Sequence, residues 1–206
     1  SKIPVMVWIH GGSNVSGNSD FYDPSELVKT QNVIVVSINY RLGPFGWFRH
    51  PNITSNSENA EDQSGNYGNL DTVQALEWVQ KNIGYFGGDA SNVTIFGESA
   101  GGYNVAALLS AKNAKGLFHK AIIQSGGIKP GDIDHSESYL EENLPWKNYS
   151  SRELVNQLIL NKGMATDRDS AKSLQEGMSH SEIEGLMRNA SSEEIFQAYL
   201  TTKINT

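Results

Sequence analysis

The chain has 206 residues, a hydrophobic fraction of 38%, a charged fraction of 19% and a formal net charge of −7. That is enough for one globular domain with a sizeable core, and the composition is neither that of a disordered tail nor of a membrane protein. The negative balance argues against nucleic acid as a partner, which rewards clustered Lys and Arg. Cysteine is absent, which removes disulfides, thiolate metal sites and a thiol nucleophile together.

Pro4 to Ile9 reads as a buried strand with no preamble, broken by Gly11 and Gly12. No basic stretch followed by an apolar run opens the chain, so no signal peptide is read there, and zero cysteines fit cytoplasm and export alike. A polar loop follows. Val33 to Ile38 is a second continuous apolar run, far short of the roughly 20 residues that span a bilayer, so no membrane span is expected. Runs apolar on both faces suit a parallel sheet covered by helices on each side. Residues 50–69, rich in Asn, Ser, Glu and Gly, read as a surface loop. From Asp71, the recurrence of Val73, Leu76, Val79 and Ile83 predicts an amphipathic helix ending near Gly84.

Val93 to Phe96 is a short strand, followed by a helix of small residues from about Ala100 to Ala111 and a further strand at Lys120 to Gln124. This alternation predicts an α/β fold, a mainly parallel sheet flanked by helices. After about residue 130 only helices follow, at Ser151 to Leu160, Asp167 to Gly177, Ser181 to Asn189 and Ser192 to Leu200. Ser150 or Ser151, Thr166, Ser179 and Ser191 are the expected N-caps. Residues 1–130 are therefore read as the sheet-bearing core and 131–206 as a helical insertion or lid of the same domain. Five Asn-x-Ser/Thr triplets, at Asn14, Asn52, Asn92, Asn148 and Asn189, carry no weight in so Asn-rich a chain.

The chemistry lies in Gly97-Glu98-Ser99-Ala100-Gly101, set between a strand and a helix. Gly-x-Ser-x-Gly in that setting is a nucleophile elbow. A strained turn lifts the Ser hydroxyl above the sheet edge, bulky neighbours at Gly97 and Gly101 would collide, and the helix aims its first N–H groups at a developing oxyanion. Upstream, His10-Gly11-Gly12-Ser13 directly follows the first strand and supplies a candidate oxyanion loop.

With these motifs in view, the chain resembles the type-B carboxylesterases, the cholinesterase-like group of the α/β-hydrolases. The resemblance runs through Pro4 to Gly12, Asn39 to Gly46, Gly68 to Asp71, Gly87 to Gly102 and Gly116 to Gly126, in family order, and is looser in the helical tail. It implies Ser99 as nucleophile and the backbone N–H groups of Gly12, Ser13 and Ala100 as oxyanion donors. Glu98 matches an acidic residue beside the catalytic machinery, Ser125 a serine near the triad, and Arg41 with Asp71 a buried structural ion pair whose disruption would cost about 3–5 kcal/mol. It implies a small-molecule ester as substrate, with no metal or cofactor.

The hydrolase triad runs Ser, then Asp or Glu, then His. His10 and His50 precede Ser99, His119 lies in the matched strand block, and His135, His180, Asp132 and Asp134 lie in the divergent tail. The expectation is an internal fragment of a longer esterase that lacks the acid and the histidine and turns over negligibly alone. The alternative is a neuroligin-like adhesion domain of the same architecture, which an intact Ser99 disfavours. Trp146 and Phe45 are candidates for pocket lining or core.

Overall fold

The computed structural model describes residues 2–54, 57–128, 133–139 and 150–204. Asp132, Trp146 and the triplet at Asn148 lie outside them. The chain divides into two compact units, Ser1–Gly46 with Tyr67–Lys129, and Trp47–Asn66 with Pro130–Thr206.

The first unit is built on four parallel strands, β1 (Ile3–Ile9), β2 (Ile34–Ile38), β3 (Gly88–Glu98) and β4 (Lys120–Gln124), in the order β2-β1-β3-β4. In central β1, Val5, Val7 and Ile9 are wholly buried and Trp8 nearly so, which explains its unbroken apolar run: both faces are covered. Trp8 stands in register with Ser37 on one side and Phe96 on the other, and its ring meets that of Phe96 at 4.8 Å. The edge strand β4 is exposed at Ile122 and Ile123.

Helix α1 (Ser25–Gln31) lies in the stretch expected to be loop; it has no buried residue and so shows no apolar stripe. Two short helices, α2 (Pro51–Thr54) and α3 (Ala60–Ser64), likewise occupy the expected surface loop, and α4 (Tyr67–Asn82) begins four residues before Asp71. These short elements are set by local hydrogen bonds rather than periodicity. Asn59 accepts from the Glu61 N–H at 2.8 Å, and Thr54 donates back to the His50 carbonyl at 3.0 Å. Helix α5 (Ala100–Ser110) follows β3 directly.

The second unit joins α2 and α3 to α6 (Ile133–Glu137), α7 (Ser151–Asn161), α8 (Arg168–Gly177), α9 (His180–Arg188) and α10 (Ser192–Ile204). Ser150 caps α7 and Ser179 caps α9, the latter in a reciprocal capping box with Glu182. Asp167, not Thr166, caps α8: its side chain accepts from the Ser170 N–H, because a carboxylate one residue closer reaches the third helical amide. No helix among the described residues is long and apolar enough to cross a membrane.

Trp47–Asn66 groups with these helices for a visible reason. Phe48 packs on the buried cluster of Val155, Ile159 and Ala171, and His50, 1% exposed, reaches the buried Gln175. The His50 Nδ1 accepts from the Asn52 N–H at 3.2 Å, so the proton sits on Nε2, which donates to Gln175 Oε1 at 3.0 Å. Gln175 in turn donates to Asn156 Oδ1, and the buried Glu153 takes two bonds from Arg168. Each of these four buried polar side chains finds a partner, which is the condition for burying it at all.

Burial pushes the His50 pKa down to about 4, with the Gln175 bond opposing it and the nearby Arg152 guanidinium adding to the effect. The neutral ring is the folded form. Unfolded, His50 takes up a proton near pH 6.5, so folding stability is complete above that value and is lost as pH falls toward 4, by up to about 3 kcal/mol. Urea midpoints at pH 7 and pH 4 should differ less in His50→Leu than in the parent. Equal differences would refute the assignment.

Candidate active site

Strands β1 and β3 lie side by side, but their onward connections diverge: β1 leads through α1 to β2, and β3 leads through α5 to β4 on the opposite side. In an open parallel sheet, ligands bind in the crevice at the carboxyl ends of two such strands. Residues 10–13 follow β1 and residues 99–100 follow β3, so the topology alone brings the two motifs to one place.

Ser99 sits between β3 and α5 with φ 54° and ψ −121°, a conformation that costs about 1–3 kcal/mol in a residue with a Cβ. The turn is braced on both sides. The Ser99 N–H donates to the Gln124 carbonyl at the end of β4 at 2.9 Å, and its own carbonyl accepts from the Tyr103 N–H at 3.0 Å. The flanking glycines are steric requirements. A Cβ on Gly101 would overlap the Ile9 carbonyl oxygen and lie 2.7 Å from that of His10; one on Gly97 would lie 2.6 Å from the Gly101 backbone. Helix and strand can cross this closely only where neither carries a side chain.

The glycine loop passes against Ser99: a Cβ on Gly11 would stand 3.4 Å from the Ser99 Cβ and 2.8 Å from the Glu98 carbonyl oxygen. Beyond Gly11 the backbone turns sharply, with left-handed φ at Gly12, Ser13 and Asn14 and the Gly12 carbonyl accepting from Val15 and Ser16 N–H. Among the described residues the N–H groups of Gly12 and Ser13 have no partner. As the first residue of α5, Ala100 has no acceptor one turn back for its own N–H. Three amides without partners among the described residues thus lie in the two segments that meet at Ser99, beside a helix N-terminus, a setting suited to negative charge.

The loop is held from outside. The Tyr40 hydroxyl donates to the His10 carbonyl at 2.5 Å, its ring stacks on that of His10 at 4.4 Å, and Gly43 N–H donates to the Asn14 carbonyl at 2.7 Å. Burial raises the Tyr40 pKa to about 12, against an opposing bond from Asn104, so Tyr40 stays a donor across the physiological range. Asn14 and Asn104 exchange side-chain amide bonds. Sequence reasoning misses Tyr40, Asn14 and Asn104; the one available signal is a polar Asn amid the small apolar residues of α5.

Of the other sequence candidates, Glu98 is half-buried and paired in register with Gln124, and its carboxylate lies by Gly11. Ser125 is exposed just past β4 with φ 51°. The expected burial of the Arg41–Asp71 pair is not observed: the Arg41 side chain is 53% exposed and that of Asp71 26%. The pair is nonetheless well formed, with Arg41 Nη2 at 2.7 Å and its backbone N–H at 2.9 Å from the carboxylate. Burial raises the Asp71 pKa, and the Arg41 bonds outweigh it and hold the carboxyl below its usual range. With water screening the guanidinium, its loss is expected to cost about 1 kcal/mol rather than 3–5.

Neither histidine of the sheet-bearing unit hydrogen-bonds Ser99. His10 has Nδ1 on the Gly11 carbonyl at 2.8 Å and Nε2 buried without a partner among the described residues. His119 lies at the start of β4, taking the Val93 N–H at 3.2 Å, five residues and about 16 Å of strand from the end where Ser99 stands. His50, His135 and His180 belong to the helical unit.

Comparison with known proteins accords with this geometry. The model of the carboxylesterase family matches residues 1–203. The chain is 52% identical to carboxylesterase 1D of Rattus norvegicus over 128 residues, which are 62% of this chain and 21% of that protein. It is 51% identical to the para-nitrobenzyl esterase of Bacillus subtilis over 130 residues, 62% of this chain and 25% of that one. A solved PNB esterase superposes on the whole chain with a TM-score of 0.70 at 35% identity, the match covering 35% of its own length. An esterase of Clostridium hathewayi, titled as hydrolysing aliphatic aromatic polyesters, gives 0.70 at 30% identity, over 99% of this chain and 35% of its own. The matched chain thus spans about a fifth to a quarter of these curated relatives. The sheet with its serine turn, and the family match over nearly all its length, show that the chain belongs to the carboxylesterase family.

Proposed function

We propose that this chain carries the nucleophile and oxyanion hole of a carboxylic ester hydrolase acting on small-molecule esters. The observation that carries the reading is Ser99, strained at the crevice between β1 and β3 where the glycine loop passes, with the amides of Gly12, Ser13 and Ala100 without partners among the described residues. In this reading Ser99 Oγ attacks the ester carbonyl carbon, its proton passing to a histidine, and the carbonyl electron pair moves onto oxygen. The oxyanion rests on the three amides, each well-placed donor contributing about 3–4 kcal/mol. The alcohol leaves with the proton, and water then hydrolyses the acyl-Ser99 ester. We assign the histidine and its carboxylate partner to sequence beyond these residues, since neither His10 nor His119 bonds Ser99 and the match spans only about a fifth to a quarter of the curated relatives.

The direct test is labelling of the full-length polypeptide with a fluorophosphonate, followed by peptide mass analysis. The expected result is one phosphonyl adduct, on the peptide containing Ser99. An adduct confined to another residue, or none from a polypeptide that hydrolyses esters, would overturn the proposal.

A further inference from the structure

We propose that Asn104 is a positioning residue, holding the oxyanion loop at a set distance from Ser99 through the side chain of Asn14. Its effect on rate rests on the esterase reading above; the contact itself does not.

Asn104 is 3% exposed, in the second turn of α5, amid Ala, Gly, Val and Leu. Asn is a poor helix former, and a buried primary amide must have its donors and acceptor met, so packing alone gives no reason for it there. Its Nδ2 donates to Asn14 Oδ1 at 2.9 Å, and Asn14 Nδ2 returns a longer bond, 3.5 Å, to Asn104 Oδ1. Asn14 follows Ser13 in the left-handed region, at φ 59° and 57° respectively, a pair of residues that a short loop does not keep there unaided. The Tyr40 hydroxyl fixes the loop where it leaves β1. The amides of Gly12 and Ser13 lie between that anchor and Asn14. Because Ser99 caps the helix that carries Asn104, the amide pair ties the proposed donors to the element that begins at the nucleophile.

The test compares the full-length polypeptide with Asn14→Ala, Asn104→Leu, Asn104→Asp and the Asn14→Ala/Asn104→Leu double variant. Leu keeps the branching of the side chain, with somewhat more bulk, and loses its bonds; Asp accepts a bond once the Asn14 amide rotates to offer its NH2. With 4-nitrophenyl acetate, Asn14→Ala and Asn104→Leu should each lower kcat about tenfold or more with KM within about twofold, since a donor displaced by an ångström loses much of its effect. The double variant should be no slower than the worse single, and Asn104→Asp should stay within about threefold of the parent.

Hydrogen–deuterium exchange over residues 10–17 should quicken in Asn104→Leu while exchange in β3 is unchanged, and Asn14→Ala serves the same comparison should Asn104→Leu not fold. Unchanged kcat in both single variants, multiplying losses in the double, or equal rates for Leu and Asp would overturn the role. Should the parent show no hydrolysis that depends on Ser99, it is the esterase reading that fails. Loop exchange then decides the tie alone, and unaltered exchange would refute it.

Discussion

Ser99→Ala in the full-length polypeptide is expected to lower kcat for an activated ester by about 10⁴–10⁶ with little change in KM. The size follows from what the hydroxyl does in the proposed reaction. Without Oγ there is no acyl-enzyme, and the only remaining help is an oxyanion hole around a carbonyl attacked by water, worth about 10³–10⁴ over solution. The backbone is not expected to move. Ala carries the same Cβ at φ 54°, and the two bonds that brace the turn, to Gln124 and from Tyr103, are both main-chain. The circular dichroism spectrum and urea midpoint should therefore match the parent, which separates a chemical loss from a folding one. A variant retaining a tenth of the parental rate would mean that another group attacks the ester.

Gly101→Ala should destabilise the protein by at least about 3 kcal/mol, and the loss should appear in folding before it appears in kinetics. The added methyl would overlap the Ile9 carbonyl oxygen, an atom of the central strand with ladder partners on both sides in Ile38 and Gly97. A flexible side chain could swing away; a main-chain carbonyl at the end of a strand paired on both sides cannot without moving the strand. Gly185→Ala is the control. That glycine lies inside α9 with open space around it, so the same methyl should be neutral or stabilise by up to about 1 kcal/mol. Urea midpoints of the two variants decide the matter, and a loss below about 1 kcal/mol for Gly101→Ala would show that α5 can slide off β1.

The sheet was legible in the residues because its strands are short apolar runs, in β1 the result of burial on both faces, and β1, β2 and β4 fall within a residue of where those runs lie, although β4 is largely exposed. Strand β3 begins earlier than expected, at Gly88. Its first residues, among them Gly88, Asp89, Ser91 and Asn92, carry no apolar signal, although Gly88 pairs with Ile3. The later helices announced themselves through capping chemistry, and the one misjudged cap, at Asp167, differs by a single residue. The stretch from Trp47 to Asn66 was not legible. His50 and Thr54 are buried there by partners that include Gln175, 125 residues away from His50, and no local pattern records such a bond.

For the site itself, local chemistry was enough to single out Ser99, Gly97 and Gly101, because a strand-to-helix turn this tight tolerates few residue types and those types are visible in one dimension. The same holds for the glycines after β1. Neither motif contains the fact that they meet. That comes from the order β2-β1-β3-β4, in which the neighbouring strands β1 and β3 send their chains in opposite directions and leave a crevice. The exposure of Arg41, and the joining of Asn14 to Asn104 across ninety residues, were likewise decided only in three dimensions. A lone Asn has the same formula in a solvated loop and in a buried amide pair; what differs is which atoms the fold brings within 3 Å.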